Sequence, residues 1–274
     1  MRMRCLFAMF QAITGAALIA SVVLPMPHAA AEHRVALVIG NANYKSVGAL
    51  ANPGNDARLL ADTLRSVGFT LVGEGAQLNL DKRGFERAIE TFGGELSSGD
   101  VALFFYAGHG LQVRGSNYLL PIDAVASDER DIPMRLISID LVLHQMEKAH
   151  THLNIVILDA CRNNPFGAPG LRAATTGLAA MTAPEGTLVS YATQPGNVAL
   201  DGDDGDSPYS KALARELRRP GIEVFGTFNE VGKAVLRETN GRQQPWVSTS
   251  PMTGTFYFAG HAQATGRQGK SGGK

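Results

Sequence analysis

The sequence predicts an α/β domain in which helices cover both faces of a mainly parallel sheet of about six strands. Short, continuous apolar runs that end at glycine or at polar residues are typical of strands buried on both faces. These runs alternate with segments whose apolar residues recur at helical spacing. Such alternation favours a parallel sheet, because parallel neighbours need crossover connections. With 274 residues, 45% of them hydrophobic, the chain can bury the core of one sizeable domain or of two small ones.

The first half of the chain predicts three strands and two helices. The strands are apolar runs at 35–39, 69–72 and 101–106. Asn55 and Asp56 can cap a helix that ends at Gly68. Asp81 can cap a second helix, which closes at Gly99.

The second half predicts a hairpin, three helices, three strands and one long loop. The hairpin is centred on 114–117, the helices lie at 140–148, 207–218 and 224–238, and the strands lie at 155–158, 187–192 and 254–258. The segment 163–186 is rich in Gly, Ala, Pro and Thr and has weak periodicity, which predicts an exposed loop. The tail 260–274 is polar and rich in glycine, which predicts disorder.

Residues 1–31 have the pattern of a cleaved export signal. Arg2 and Arg4 form a basic start, an apolar stretch follows, and the small residues 29–31 suit cleavage. We therefore expect an exported protein, periplasmic or secreted, without stable membrane association after cleavage. An uncleaved membrane anchor is the alternative, but Gln11 and Thr14 are among the polar and small residues that dilute the apolar run.

Charge and cysteine content narrow the function. The chain has 25 basic and 25 acidic residues, so its overall field gives no reason to expect nucleic acid or an anionic membrane as a partner. Removal of residues 1–31 would leave Cys161 as the one cysteine, which cannot form an internal disulfide. A lone cysteine is either a small buried residue or a reactive thiol.

Two segments carry the residues of a cysteine nucleophile site. The run 106–110 contains His109 between two glycines, and the run 159–163 contains Cys161; each follows a buried strand, and both are expected at strand carboxyl ends. An imidazole in reach of a thiol can take its proton and later protonate the leaving amine. The Gly110 and Cys161 N–H groups are candidate oxyanion donors. The alternative is a core histidine and a buried cysteine, each in a glycine turn.

These motifs resemble a known family. Tyr-Ala-Gly-His-Gly at 106–110 and Asp-Ala-Cys-Arg-Asn-Asn-Pro at 159–165 are similar to the histidine and cysteine motifs of the caspase-like superfamily (peptidase C14), in its bacterial metacaspase-like branch. The resemblance covers about 33–259. It implies a caspase-like fold with a large-subunit-like part at 33–165, a loop at 166–186 and a small-subunit-like part at 187–259. It also implies a cysteine endopeptidase that acts on protein or peptide substrates through an acyl-enzyme.

The resemblance also implies a substrate preference. Metacaspases cut after Arg or Lys, and this chain resembles them at Asp56 and Asp159, the acidic positions of their first specificity pocket. The alternative is that Asp56 only caps a helix and Asp159 only ends a strand. Arg172, in the loop after the nucleophile, is a candidate site for self-cleavage.

The sequence predicts no required cofactor and no metal site. Asp201, Asp203, Asp204 and Asp206 form an acidic loop that has oxygen ligands suited to calcium, but the same pattern is typical of a solvated turn. His150 and His152 lack a third ligand nearby. Two alternatives to a peptidase of this family stay open: a non-catalytic caspase-fold binding or signalling module, and another exported cysteine amidohydrolase. The oligomeric state is also open.

Overall fold

The structure is a computed structural model. It describes residues 32–161, 165–166, 174–175, 178, 181, 183–194, 199–200, 202 and 205–260. The predicted export signal, the tail beyond 260, Arg172 and most of the predicted loop 163–186 lie outside the described residues. Within the described ranges, no helix has the length and apolar character needed to cross a membrane.

A central sheet of six strands organises the domain. The described strands are β1 (Arg34–Gly40), β2 (Thr70–Leu71), β3 (Gln77–Leu78), β4 (Val101–Val113), β5 (Ser116–Leu119), β6 (Ile137–Ser138), β7 (Leu153–Cys161), β8 (Ala174–Thr175), β9 (Thr187–Tyr191) and β10 (Trp246–Thr249). The order across the sheet is β10-β9-β7-β4-β1-β2. All neighbours in this order are parallel except the edge strand β10, which runs antiparallel to β9. The predicted α/β class with a mainly parallel sheet is confirmed.

Strand β4 is longer than its neighbours and belongs to two sheets. Its first nine residues pair with β7, and its last four, from Gly110 to Val113, pair antiparallel with β5. The turn at Arg114 and Gly115 forms the predicted hairpin, with both residues at positive φ. Strands β6 and β8 add to this second sheet.

Helices cover both faces of the central sheet. They are α1 (Pro53–Ser66), α2 (Lys82–Glu95), α3 (Ile132–Arg135), α4 (Asp140–Ala149), α5 (Pro208–Leu217) and α6 (Val224–Glu238). One core cluster packs α1, α5 and α6 on one face, and a second packs α2 and α4 on the other. Asp81 caps α2 as predicted, because its side chain accepts a hydrogen bond from the N–H of Gly84.

Three sequence predictions need correction. Helix α1 begins at Pro53, so Asn52 is its N-cap and Asp56 lies inside the first turn instead of capping it. The predicted final strand at 254–258 is wrong, since only an isolated bridge joins Tyr257 to Glu223 there. Its alternating residues Phe256 and Phe258 instead pack their rings together. The predicted loop after Cys161 contains the short strand β8.

Candidate active site

His109 and Cys161 lie side by side on neighbouring parallel strands. Their positions are register partners of β4 and β7, so their backbones are about 4.8 Å apart, the spacing of adjacent strands. Both residues lie within strands and do not follow them: β7 ends on Cys161, which is the expected carboxyl-end position, and β4 continues four residues beyond His109. The structure describes the backbone of Cys161 and not its side chain.

The ring of His109 is held by a backbone carbonyl. Its Nε2 atom lies 2.8 Å from the carbonyl oxygen of Gly48, in the loop at 41–52 that joins β1 to α1. A carbonyl only accepts, so Nε2 carries the hydrogen and donates it. In the neutral ring Nδ1 is then the basic nitrogen, and that atom is buried. The arrangement therefore selects Nδ1 as the atom that can take a proton.

The glycines beside His109 make room for the protein's own atoms. A Cβ at Gly108 would lie 2.5 Å from the Tyr44 hydroxyl, and one at Gly110 would lie 3.3 Å from the Ala160 Cβ. The close approach that requires Gly108 is made by side chains of the fold itself.

The pairing of β4 with β5 sets the direction of the Gly110 N–H. The Leu120 N–H donates to the His109 carbonyl, which makes Gly110 and Leu119 a non-hydrogen-bonded pair of the β4–β5 ladder. In such a pair the N–H groups point away from the partner strand. The Gly110 N–H is therefore directed away from β5.

Asp56 and Asp159 meet at the start of helix α5. Asp56 Oδ1 accepts the Ser207 N–H at 2.8 Å. Asp159 Oδ2 accepts the hydroxyls of Ser207 at 2.5 Å and of Ser210 at 2.8 Å. Both carboxylates are buried, with exposed fractions of 2% and 8%. The two predicted acidic residues thus share one partner, Ser207, which is the N-cap of α5.

The surroundings of this acidic pair are hydroxyl-rich. The hydroxyls of Ser190 and Tyr209 are hydrogen-bonded to each other at 2.6 Å. Burial raises the pKa of Tyr209 far above its usual value, the hydrogen bond with Ser190 opposes this, and the negative charge of Asp159 raises it further. Tyr209 is therefore a neutral phenol beside the carboxylates.

Gly202 and Gly205, which belong to the acidic stretch 201–206, lie against the start of α1. Asn52 Nδ2 donates to the Gly202 carbonyl and Asn55 Nδ2 to the Gly205 carbonyl, at 3.0 and 2.8 Å. Asp201, Asp203 and Asp204 lie outside the described residues. Among the residues that are described, no group of three or more His, Cys, Asp or Glu side chains could hold a metal ion.

Sequence reasoning missed Tyr44, Gly48, Ser207 and Ser210. The first two belong to the 41–52 loop, whose irregular backbone gives no periodic signal. Ser207 had a local signal, since it precedes a proline at a predicted helix start. Nothing in the sequence indicated that it would bond two distant aspartates.

Comparison with known proteins gives the relatives of this fold. A family model described as the caspase domain matches residues 33–257. Mucosa-associated lymphoid tissue lymphoma translocation protein 1 of Homo sapiens is 32% identical over 132 residues, and its Mus musculus homologue is 31% identical. Each alignment covers 48% of this chain and 15% of the relative, so this chain spans a small part of either protein's length.

A solved structure gives the same fold. The crystal structure of a Geobacter sulfurreducens protein matches with a TM-score of 0.63 over 85% of this chain and 100% of its own. The two sequences are 15% identical, so this likeness supports the fold alone.

Proposed function

The chain belongs to the caspase-domain family, and from this premise we propose that it is a cysteine endopeptidase with Cys161 as nucleophile and His109 as general base and acid. The pairing of the two positions across β4 and β7 carries the proposal, because it makes His109 and Cys161 neighbours on adjacent strands. The Gly48 carbonyl supports it by leaving Nδ1 as the proton acceptor.

The reaction follows from these groups. The Cys161 sulfur attacks the peptide carbonyl carbon while its proton passes to His109 Nδ1. The N–H groups of Gly110 and Cys161 stabilise the oxyanion. Cleavage of the C–N bond sends the Nδ1 proton to the leaving amine and leaves a thioester. His109 then deprotonates a water, which attacks the thioester, releases the new carboxyl end and restores the thiol.

Substrates with Arg or Lys before the cut bond suit the acidic pair. Asp56 and Asp159 place two buried carboxylates at one helix start. A buried charge without an opposite charge is costly, so a pocket built from these groups favours a cation and rejects an acidic side chain. Asp159 continues the strand that ends in Cys161 two residues later, which supports a place beside the nucleophile.

A thiol-reactive peptide probe tests both parts of the proposal. The mature protein and its Cys161→Ala variant are incubated with an Arg probe and with a matched Asp probe. We expect labelling that needs Cys161 and is stronger with the Arg probe. Stronger labelling by the Asp probe would refute the basic preference. No Cys161-dependent labelling by either probe would favour a non-catalytic binding module, and turnover confined to peptidoglycan peptides would favour a cell-wall amidohydrolase.

Self-cleavage after Arg172 belongs to this proposal as a regulatory step. No cofactor is proposed as required, and a calcium requirement is the alternative that the acidic loop leaves open. Self-cleavage predicts two fragments from the wild type and one intact band from Cys161→Ala and Arg172→Ala. A calcium requirement predicts loss of activity in chelator and recovery on calcium addition. Activity that is equal with and without chelator would show that calcium is not required.

Export of the protein is the remaining part of the proposal. The basic start, apolar run and small residues of 1–31 support a cleaved signal. N-terminal sequencing of the cell-derived protein should find a start near Glu32. An intact N-terminus in the membrane fraction would favour the anchor.

A further inference from the structure

Two buried tyrosines surround the main chain of His109. The His109 N–H donates to Tyr44 Oη at 2.8 Å, and Tyr106 Oη donates to the His109 carbonyl at 2.9 Å. The two hydroxyls lie 3.2 Å from each other. Tyr106 is fully buried and Tyr44 nearly so. The backbone N–H and the carbonyl of His109 are therefore both hydrogen-bonded to this pair of phenol hydroxyls.

The direction of each hydrogen bond can be assigned. A tyrosine hydroxyl has a single proton to donate. The proton of Tyr106 is directed at carbonyls, those of His109 and of Leu120 at 3.1 Å. At the hydroxyl–hydroxyl contact Tyr44 is then the donor. The bonds run in one sense, from the His109 N–H through Tyr44 and Tyr106 back to the His109 carbonyl.

The same tyrosine also restrains the imidazole. The ring centroids of Tyr44 and His109 are 4.7 Å apart, with 46° between the ring planes. Gly48, four residues further along the 41–52 loop, accepts from Nε2. One loop thus contacts the histidine at its N–H, at its ring face and at its ring edge.

The lack of a side chain at Gly108 leaves room for the two tyrosine hydroxyls. A Cβ there would lie 2.5 Å from Tyr44 Oη and 2.6 Å from Tyr106 Oη, closer than real Cβ contacts. The glycine before the histidine is therefore part of the same construction.

We propose that Tyr44 and Tyr106 are positioning residues whose hydroxyls close a hydrogen-bond ring around the main chain of His109 and so fix its imidazole toward Cys161. This inference rests on the proposed function, because it needs the dyad. The hydroxyls touch no reacting atom. In this buried setting their bonds are stronger than in water. Loss of the Tyr44 hydroxyl removes an acceptor of the His109 N–H, and loss of the Tyr106 hydroxyl removes a donor to the His109 carbonyl.

The test measures the reactivity of Cys161 without any peptide substrate. Iodoacetamide alkylation of Cys161 is followed against pH by mass spectrometry in the wild type, Tyr44→Phe, Tyr106→Phe and His109→Ala. A nearby imidazolium lowers the pKa of a thiol, so a misaligned ring shifts the alkylation midpoint to higher pH. We expect both tyrosine variants to move toward His109→Ala, with alkylation at pH 6 about threefold to tenfold slower.

Turnover provides a second readout. For an Arg peptide we expect kcat per titrated active site to fall about tenfold while KM changes less than about twofold, because geometry and not binding is lost. A purely structural role would lower the amount of active protein and leave kcat per site and the midpoint unchanged.

Tyr257→Phe is the matched control. Its backbone carbonyl bonds Arg34 at the start of β1, the opposite end of the strands from His109, so this variant should keep the wild-type midpoint and kcat. Tyrosine variants that also keep both values would overturn the positioning role and leave the proposed peptidase intact. A wild type that alkylates like His109→Ala would overturn the dyad, and the positioning role with it. Circular dichroism verifies folding, and either tyrosine variant alone suffices for the comparison.

Discussion

Asp159→Asn and Asp56→Asn separate substrate recognition from helix anchoring. Asparagine keeps an acceptor oxygen for the bonds to Ser207 but removes the negative charge. The assay compares kcat/KM for two peptides that differ only before the cut bond, one with arginine and one with its neutral analogue citrulline. Only the arginine peptide can use the charge.

The expected effect on recognition is large. Truncating one partner of a buried, hydrogen-bonded charge pair costs about 2–5 kcal/mol. Since about 1.4 kcal/mol is a factor of ten, kcat/KM for the arginine peptide should fall by about thirtyfold to several thousandfold in each variant. Hydrolysis of the citrulline peptide should change much less, and the preference for arginine should disappear in the double variant.

The expected effect on stability differs between the variants. A hydrogen bond to a charged group contributes about 1 kcal/mol more than a neutral one. Asp159 accepts two hydroxyls and Asp56 the Ser207 N–H, so the losses are about 2 and about 1 kcal/mol. In a domain of this size these values lower Tm by roughly 4–8 and 2–4 °C. They are upper values, because the neutral variants also avoid burying a charge.

The two measurements give a clear refutation. If both variants lose thermal stability but keep the preference for arginine over citrulline, the aspartates only anchor α5 and the basic specificity is wrong.

Three further predictions follow from individual residues. Gly108→Ala should lower turnover per active site at least tenfold and reduce Tm. Its control is Gly232→Ala, where a Cβ meets open space inside α6, and this variant should raise the free energy of unfolding by about 0.5–1 kcal/mol. Equal turnover and Tm in the two variants would contradict the packing described around His109. The Glu216 side chain is nearly buried, and burial opposes ionisation, but bonds from Arg219 and Arg215 prevail and lower its pKa. Its stabilisation is therefore complete above pH 4.5 and is lost as pH falls through the lower folded pKa, so Glu216→Gln should flatten the acid limb of a Tm–pH curve. Burial raises the pKa of Tyr209, so stability that it contributes below pH 10 is lost at higher pH, and Tyr209→Phe should resist alkaline unfolding better than the wild type.

Hydrophobic periodicity and local signals such as helix caps and turns predicted most of the fold. The continuous apolar runs identify β1 and β7 because these strands are buried on both faces, and helical spacing identifies α6 because one stripe of its side chains is buried. Asp81 and the Arg114–Gly115 turn act through neighbours in sequence, which is why their roles were predictable. The alternation of Phe256 and Phe258 led to a wrong strand prediction, because alternating apolar residues in an irregular segment can pack together without pairing in a sheet.

Sequence patterns selected only those candidate site residues that belong to recognisable motifs. His109 and Cys161 were selected as candidates from their types and positions, and Asp56 and Asp159 from the resemblance to metacaspases. The contacts around them join distant segments: Tyr44 bonds a backbone 65 residues away, and Asp56 bonds one 151 residues away. Such pairs depend on how the 41–52 loop and the start of α5 settle against the sheet. No local pattern encodes that arrangement.

Strand β4 passes through His109 without a break, so the histidine lies inside the longest strand among the described residues. Exchange of a backbone amide with solvent deuterium requires the local structure to open, and central strands open only with the whole fold. The amide of His109 donates to the buried Tyr44 hydroxyl, so its exchange requires this bond and the strand pairing around it to open, and we expect it to be slow. Any motion that accompanies substrate entry or activation would then occur around a fixed histidine.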